Sequence, residues 1–193
     1  MADVFIVGDN VNFTYDAQIA QYDTTFWRAV TGTPTFSTPN MRMSSARVGS
    51  YSQYRYGDVE FTLTVPVAPT AGQSKRWGFS CPNLGNRGRI EFDITGAVFS
   101  VVAYANNGTT VLINQTITWD AAWTATAVRY RILWGREGIQ FFINDVKVAF
   151  AQIKGNATNP VVPNLPMALH MNNGNADNLD MAAIIAKDIQ ALT

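Results

Sequence analysis

The sequence predicts a single all-β domain built as a two-sheet antiparallel sandwich. Short runs of alternating apolar and polar residues recur at intervals of about ten residues, separated by glycine, proline and asparagine. Helical periodicity is almost absent from the chain. At 193 residues the protein has the size of one large sandwich, so we expect residues 1–193 to form one domain.

The clearest strand is predicted at residues 59–65, where apolar and polar residues alternate without a break. Its apolar residues share one face, and the glutamate and threonines between them share the other. Pro66 and Pro69 end this strand because proline cannot donate to a sheet ladder. The same pattern predicts further strands at residues 75–80, 89–94, 98–105, 110–118, 127–134, 138–143 and 146–150.

Tight turns between some of these strands favour antiparallel pairing. Asn106, Asn107 and Gly108 separate two strands, and asparagine and glycine readily adopt the positive φ of a hairpin turn. Asn144 and Asp145 predict a second tight turn. Connections this short do not suit parallel neighbours, because a parallel crossover needs about a dozen residues or more.

The two ends of the chain leave alternatives open. Residues 4–7 are apolar, and residues 1–12 are either the first strand of the sandwich or an arm that docks on a neighbour by strand addition. The apolar residues within 179–192 fit a terminal helix or a closing strand. We expect the strand, since a sandwich of this kind commonly brings its last segment back into the middle of a sheet.

Charge and cysteine content exclude several classes of function. The 14 basic and 14 acidic residues cancel, so no overall field would attract nucleic acid or an anionic membrane, and we expect neither as a partner. The single cysteine, Cys81, rules out an intrachain disulfide. The start of the chain lacks a basic segment and a long apolar stretch, so we expect synthesis in a cytoplasm without a signal peptide.

Three segments, in this order, carry a resemblance to a known superfamily. They are YGDVEF at residues 56–61, IEFDIT at 90–95, and RYRILW at 129–134 followed by GIQFFIND at 138–145. With them the chain resembles the concanavalin A-like lectin/glucanase superfamily, in particular its laminarinase-type glucanases. The resemblance implies a jelly-roll of two curved antiparallel sheets whose concave face holds a ligand groove.

The second of these segments bears on activity. Family glucanases use a strand of the form E-x-D-x-x-E, whose carboxylates supply the nucleophile and the acid/base. Glu91 and Asp93 match its first two positions, and Thr95-Gly96 stands where the third acid should lie. Retaining hydrolysis needs two carboxyl groups about 5 Å apart. The missing acid therefore predicts that the chain is not an enzyme.

Tryptophans and nearby polar groups are the candidates for contact with a glycan. Trp27 and Trp134 lie in apolar runs and are predicted to be core residues. Trp77 follows two basic residues and Trp123 lies in a turn, so these two are better placed to stack on a sugar ring. The predicted glycan-binding residues are Trp77, Asn83, Glu91, Asp93 and Trp123.

No cofactor is predicted, although calcium is left open. Calcium takes about six to eight oxygen ligands. The oxygen-bearing side chains close together near the end of the chain are Asn172, Asn173, Asn175, Asp177 and Asp180. Their spacing matches no EF-hand loop, and an asparagine-rich surface turn explains them equally well. His170, the single histidine, is predicted to be structural or exposed because the chain has no nucleophile-elbow motif.

These features together predict a non-catalytic jelly-roll module with a structural or adhesive role, such as a phage capsid decoration or tail-associated protein. Its partners would be other copies of itself or other virion proteins, with a cell-surface glycan as a further ligand, and its location the virion surface. Two alternatives stay open. One is a carbohydrate-binding, lectin-like module, and the other is a glucanase-type glycoside hydrolase that releases reducing sugar from β-glucans.

Overall fold

The computed structural model describes residues 3–7, 10–16, 26–37, 40–81, 88–104, 110–152 and 166–191. Within these ranges the chain forms β-strands and a short 3-10 helix at Ala121–Thr124. The strands are β1 (Asp3–Val7), β2 (Asn10–Asp16), β3 (Trp27–Thr31), β4 (Thr35–Ser37), β5 (Asn40–Met43), β6 (Ala46–Arg55), β7 (Gly57–Thr64), β8 (Ser74–Ser80), β9 (Arg89–Thr95), β10 (Val98–Tyr104), β11 (Val111–Thr116), β12 (Val128–Gly135), β13 (Gly138–Ile143), β14 (Val146–Gln152), β15 (Met167–Asn173) and β16 (Leu179–Ala191). Among these described residues, no helix has the length and apolar character needed to cross a membrane.

The strands assemble into two antiparallel sheets. The first sheet has the order β3-β6-β15-β8-β9-β10-β11, and the second has the order β16-β7-β12-β13-β14. The β1-β2 hairpin and the β4-β5 pair attach to β16 on the edge away from β7. The sheets meet at one end, where Tyr54 and Arg55 of β6 pair with residues 190–191 of β16. The two-sheet antiparallel jelly-roll sandwich predicted from the sequence is confirmed.

Alternation along the strands builds the core between the two sheets. On β7 the apolar residues at 59, 61 and 63 are fully buried, whereas the residues between them are half-buried on the other side. Aromatic rings from both sheets fill the centre. Trp77 of β8 stacks on Phe92 of β9 at 5.8 Å between ring centroids, and both meet Tyr130 of β12 edge-on at 4.9 and 5.1 Å.

Substitution of the central ring is expected to destabilise the fold strongly. We expect Phe92→Ala to lower the free energy of unfolding by about 3–5 kcal/mol, because a close-packed core cannot close the cavity that the ring leaves. The rings in contact with it are Trp77, Phe99, Tyr130 and Phe141. Urea unfolding measures the change, with Phe150→Ala on the exposed side of β14 as the control. Equal losses in the two variants would contradict this assignment of the core.

The predicted turn at Asn144 and Asp145 is confirmed. Both residues have positive φ, 47° and 66°, as a two-residue hairpin turn between β13 and β14 requires. The side-chain oxygen of Asn144 also accepts a hydrogen bond from the backbone of Arg129 at 3.0 Å. The turn predicted at residues 106–108 lies outside the described residues, but the strands on either side of it, β10 and β11, pair as expected.

The ends of the chain are strands. Residues 4–7 belong to β1, which pairs with β2 of the same chain, so this part of residues 1–12 is a strand of the sandwich. The predicted closing strand is confirmed as β16, which lies between β7 and β2. A helix cannot satisfy neighbours on both sides in this way, whereas an interior strand does. The single domain over residues 1–193 stays a prediction.

Candidate active site

Strand β9 turns three charged residues away from the core. Its apolar residues at 90, 92 and 94 are fully buried, so Arg89, Glu91 and Asp93 project from the opposite side of the first sheet. We call that side, which carries these three residues, the polar face. Because β9 has β8 on one edge and β10 on the other, the charged residues stand inside the sheet and not at its margin.

Glu91 is the centre of a network that spans three strands. Its side chain is 1% exposed, and both carboxylate oxygens have partners. Arg89 Nη1 donates to Oε1 at 2.5 Å, and His170 Nε2 from β15 lies 2.7 Å from Oε2. Arg76 Nε from β8 is 3.9 Å from Oε1. Glu91 is therefore held in one orientation from both of its oxygens.

These partners keep Glu91 ionised. Burial alone raises the pKa of a carboxyl group, but the hydrogen bond and charge of His170 and the charges of Arg89 and Arg76 outweigh it. Together they hold the pKa of Glu91 below its ordinary value. At neutral pH Glu91 is thus a carboxylate, the form that can accept hydrogen bonds or act as a nucleophile.

A glycine lies between Glu91 and His170 in the sheet. Gly78 on β8 pairs with Glu91 on one side and with His170 on the other, so the two side chains bond across a position that has no side chain. A Cβ added at Gly78 would lie 2.4 Å from the carbonyl oxygen of Ile90 and 2.8 Å from Cα of Glu91. The φ of 146° is also one that residues with a side chain rarely adopt. Glycine is therefore required here by both the space and the backbone.

Gly78→Ala tests this requirement. We expect the free energy of unfolding to fall by about 1–3 kcal/mol, because the backbone must leave a conformation that alanine does not tolerate. The shift should also break the bond between His170 and Glu91, which proton NMR detects as a change in the imidazole N–H signal of the single histidine. Gly135→Ala is the control, since nothing lies within 4 Å of its added Cβ. Unchanged stability and an unchanged histidine signal would contradict the prediction.

Asp93 shares the cations that surround Glu91. Arg76 Nε donates to its Oδ1 at 3.3 Å, and Arg89 Nη1 lies 3.6 Å from its Oδ2. Thr95, one residue before the position at which the motif would have its third acid, is exposed, and its hydroxyl donates to Asp93 Oδ1 at 2.9 Å. β9 therefore presents two carboxylates to the polar face, followed by a hydroxyl at its third outward position.

A depression of about 170 Å³, which we call the β9 pocket, opens over this network. Its lining comes from β6, β8, β9 and β15 and includes Arg47, Arg76, Ser80, Arg89, Glu91, His170 and Asn172. These four strands are neighbours in the sheet, in the order β9-β8-β15-β6, although this order differs from their order in the sequence. The pocket therefore offers charged and hydrogen-bonding groups to a ligand that lies across the strands.

A larger depression, of about 310 Å³, lies on the outer side of the second sheet and has no connection with β9. Its two arginines are already paired with neighbouring carboxylates. Both Nε and Nη2 of Arg131 donate to Asp58, at 2.6 and 2.5 Å, and Arg129 pairs with Asp145. Because Glu91, which matches the motif of the related glucanases, lines the β9 pocket and not this depression, we regard the β9 pocket as the candidate site.

The predicted glycan-binding residues have different outcomes. Glu91 and Asp93 lie together in the network on the polar face. Trp77 is fully buried on the core side of β8, so it cannot stack on a sugar and its prediction is wrong. Trp123 is half-buried and packs against Trp119 and Phe99 on the core side of β10, away from Glu91. Asn83 lies outside the described residues.

Sequence reasoning missed the partners of Glu91. Arg89 could have been found, because it stands two residues before Glu91 and alternation puts both on one face of the strand. Arg76 and His170 could not, since they lie on other strands and His170 is 79 positions from Glu91 in the sequence. Of the two alternatives predicted for His170, structural or exposed, the exposed one is wrong, because His170 is buried beside Glu91.

The residues left open for calcium make other contacts. Lys75 Nζ donates to Asp177 at 2.5 Å, and Arg42 makes two hydrogen bonds, at 2.8 and 2.9 Å, to Asp180. The side-chain amide of Asn173 donates to Met43 O at 2.8 Å. In the described part of the chain, no three His, Cys, Asp or Glu residues are grouped so that they could hold a metal ion. One carboxylate oxygen of Asp177, Oδ2, is occupied by an ammonium group, and both carboxylate oxygens of Asp180 are occupied by a guanidinium group.

Solved structures of glycan-processing enzymes share this fold. The chain is similar to the β-glucanase of Bacillus licheniformis, with a TM-score of 0.70 at 14% identity over 90% of this chain and 97% of that one. It is also similar to the laminarinase catalytic domain of Thermotoga maritima MSB8, with a TM-score of 0.72 at 11% identity over 96% and 98%. For the Crh5 transglycosylase the values are 0.71 and 13% over 92% and 84%. Identities this low show a common fold, and they confirm the resemblance to concanavalin A-like glucanases.

A search of curated protein sequences gives no match. A family model, by contrast, matches residues 7–184, and its description is glycosyl hydrolases family 16. This match overturns the prediction that the chain is a non-catalytic virion or capsid-decoration protein, and with it the prediction that it is not an enzyme. The predicted partners and the virion location stay predictions. The chain belongs to glycosyl hydrolases family 16.

Proposed function

We propose that this protein cleaves glycosidic bonds in a polysaccharide that lies across the polar face, with Glu91 as the nucleophile. The observation that carries the proposal is an ionised carboxylate, fixed at both oxygens, in the lining of the β9 pocket of a family 16 member. A nucleophile that is oriented before the substrate arrives avoids the reorganisation that a mobile carboxylate would need.

The partners of Glu91 suit that role. A nucleophilic carboxylate must stay ionised at the working pH, and the lowered pKa of Glu91 meets this condition. His170 and Arg89 bind separate oxygens, so the carboxylate can turn only if one of these bonds breaks. We regard His170 and Arg89 as positioning residues because they act through Glu91.

Cleavage also requires a group that protonates the leaving oxygen, and we assign this role to Asp93. It is the next outward residue along the same strand, two positions from Glu91. In the first step Glu91 bonds to the anomeric carbon, the glycosidic C–O bond breaks, and the proton of Asp93 goes to the leaving oxygen. In the second step water attacks the glycosyl ester, its proton returns to Asp93, and Glu91 leaves as a carboxylate.

The names of the similar structures suggest where a substrate search should begin. They are a β-glucanase, a laminarinase and a transglycosylase, so β-1,3-glucan and mixed-linkage β-glucan come first. Polysaccharides with uronic acids or sulfate esters complete the panel. Product lengths distinguish hydrolysis from glycosyl transfer, because only glycosyl transfer yields chains that are longer than the substrate.

The test is release of new reducing ends from any polysaccharide in this panel. We expect the protein to release them, and heat-inactivated protein to release none. Product lengths are read by mass spectrometry before and after a further purification step. A product pattern that changes between the two measurements reveals a contaminating enzyme. Retention on a polysaccharide column without cleavage of any member of the panel would overturn the enzymatic proposal.

A further inference from the structure

The polar face carries more positive than negative charge. Arg89 and Arg76 lie on it beside the two carboxylates of β9, and Arg47 lines the same pocket. Arg28 on β3 is exposed on this side too, because its neighbour Trp27 is buried in the core. The whole chain has equal numbers of basic and acidic residues, so the four arginines form a local excess and do not follow from a basic composition.

The arginines are also closer to solvent than the carboxylates. The side chains of Glu91 and Asp93 are 1% and 8% exposed, whereas those of Arg89 and Arg76 are 13% and 23% exposed. A ligand that enters the pocket therefore meets guanidinium groups before it meets either carboxylate. The greater exposure of the arginines matters, because charge near the surface decides which ligands approach.

Arg28 and Arg47 add positive charge that has no local counter-ion. In the described ranges, no carboxylate lies within ion-pair distance of either one. Arg47 pairs in register with Asn172 of β15, and Asn172 pairs with Arg76 of β8. Arg47 and Arg76 thus flank Asn172 in one row across the sheet, about 10 Å apart from strand to strand.

We propose that the polysaccharide bound on the polar face carries anionic groups, either uronate carboxylates or sulfate esters, and that Arg47 and Arg76 bind them. This inference rests on the proposed function in that it places the glycan across the same face. A guanidinium group binds such oxyanions through two parallel hydrogen bonds, which neutral hydroxyls do not offer. The separation of the two arginines is about the length of a disaccharide, so an anionic group on alternate sugars would reach both.

Binding measurements on four purified polysaccharides test the proposal. The probes are alginate for uronate, κ-carrageenan for sulfate, and two neutral β-glucans, one β-1,3-linked and one mixed-linkage. We expect at least one anionic probe to bind about 10-fold or more tightly than both neutral ones at low salt. The advantage should shrink as sodium chloride is added, because salt screens exposed charges. The probe that binds tells uronate from sulfate recognition.

A charge-neutral variant in the pocket gives the second readout. We expect Arg47→Gln to weaken binding of the anionic probe about 10-fold and to leave neutral glucans unaffected. Arg129→Gln is the matched control, since it removes the same charge from the outer side of the second sheet. An equal loss for neutral and anionic probes in Arg47→Gln would overturn the proposal.

The remaining outcomes separate this inference from the proposed function. Equal or tighter binding of neutral glucan, together with cleavage, would overturn the inference and leave the enzymatic function standing. Salt-dependent binding of an anionic probe without cleavage would overturn the enzymatic function and leave the inference standing. Binding of none of the four probes would overturn the inference.

Discussion

Glu91→Gln is expected to lower the rate of polysaccharide cleavage by about 10³-fold or more. Glutamine keeps the size and shape of glutamate but cannot bond to the anomeric carbon and leave again as a carboxylate. The variant also loses the charge that pairs with Arg89 and Arg76. The measurement is initial release of reducing ends from whichever polysaccharide the unchanged protein cleaves fastest.

Two further measurements distinguish chemistry from folding in this experiment. Glu60→Gln is the matched control, because Glu60 lies on the outer side of β7 and takes no part in the polar face. Azide added to Glu91→Ala should restore part of the turnover and yield a glycosyl azide, since the small anion fits the space that the carboxylate leaves. A folded Glu91→Gln variant with full activity would contradict the assignment of Glu91.

Asp93→Asn is expected to slow polysaccharide cleavage by about 10²- to 10⁴-fold, the usual contribution of a general acid. The same variant should lose far less activity on an aryl glycoside with a dinitrophenolate leaving group, since that group departs without a proton. The quantity to measure is the ratio of the two losses, taken from kcat/KM on each substrate.

The same ratio can contradict the assignment of Asp93 as the proton donor. Equal losses on the polysaccharide and on the aryl glycoside would mean that Asp93 holds the network together and does not donate a proton. Asp145→Asn serves as the control, because Asp145 pairs with Arg129 on the opposite sheet and should leave both rates unchanged.

The sequence predicted a protein without catalytic activity because one acid of the motif is missing, and the structure shows what surrounds the two acids that remain. The third acid of the related motif is absent, with Thr95 and Gly96 where it should lie, and the Thr95 hydroxyl bonds to Asp93. Two carboxylates nevertheless stand on one face of β9 with shared cations. Family membership then favours cleavage over a purely structural role for this pair, and our proposal assigns the proton-donor role to Asp93.

The misassigned tryptophan shows the limit of reasoning from neighbours in sequence. Trp77 follows two basic residues, which suggested a solvent-exposed position. Lys75, however, is itself buried on the core side of β8, where its ammonium pairs with Asp177. Trp77 shares that side by alternation and lies in the core. A basic residue indicates the surface only when the fold brings no counter-ion to it, and Asp177 is 102 positions from Lys75 in the sequence.

What the sequence determined by itself was local. The period of two along residues 59–65 and 89–94 set the strands and their buried faces, and it put Glu91 and Asp93 together on the other side, because side-chain alternation is a property of any extended backbone. The tertiary structure alone decided the neighbours of those carboxylates. Strand order puts β8 and β15 beside β9, and it brings His170 within 2.7 Å of Glu91 across Gly78. Such contacts depend on which strands pair, and no pattern within a single strand specifies its partners.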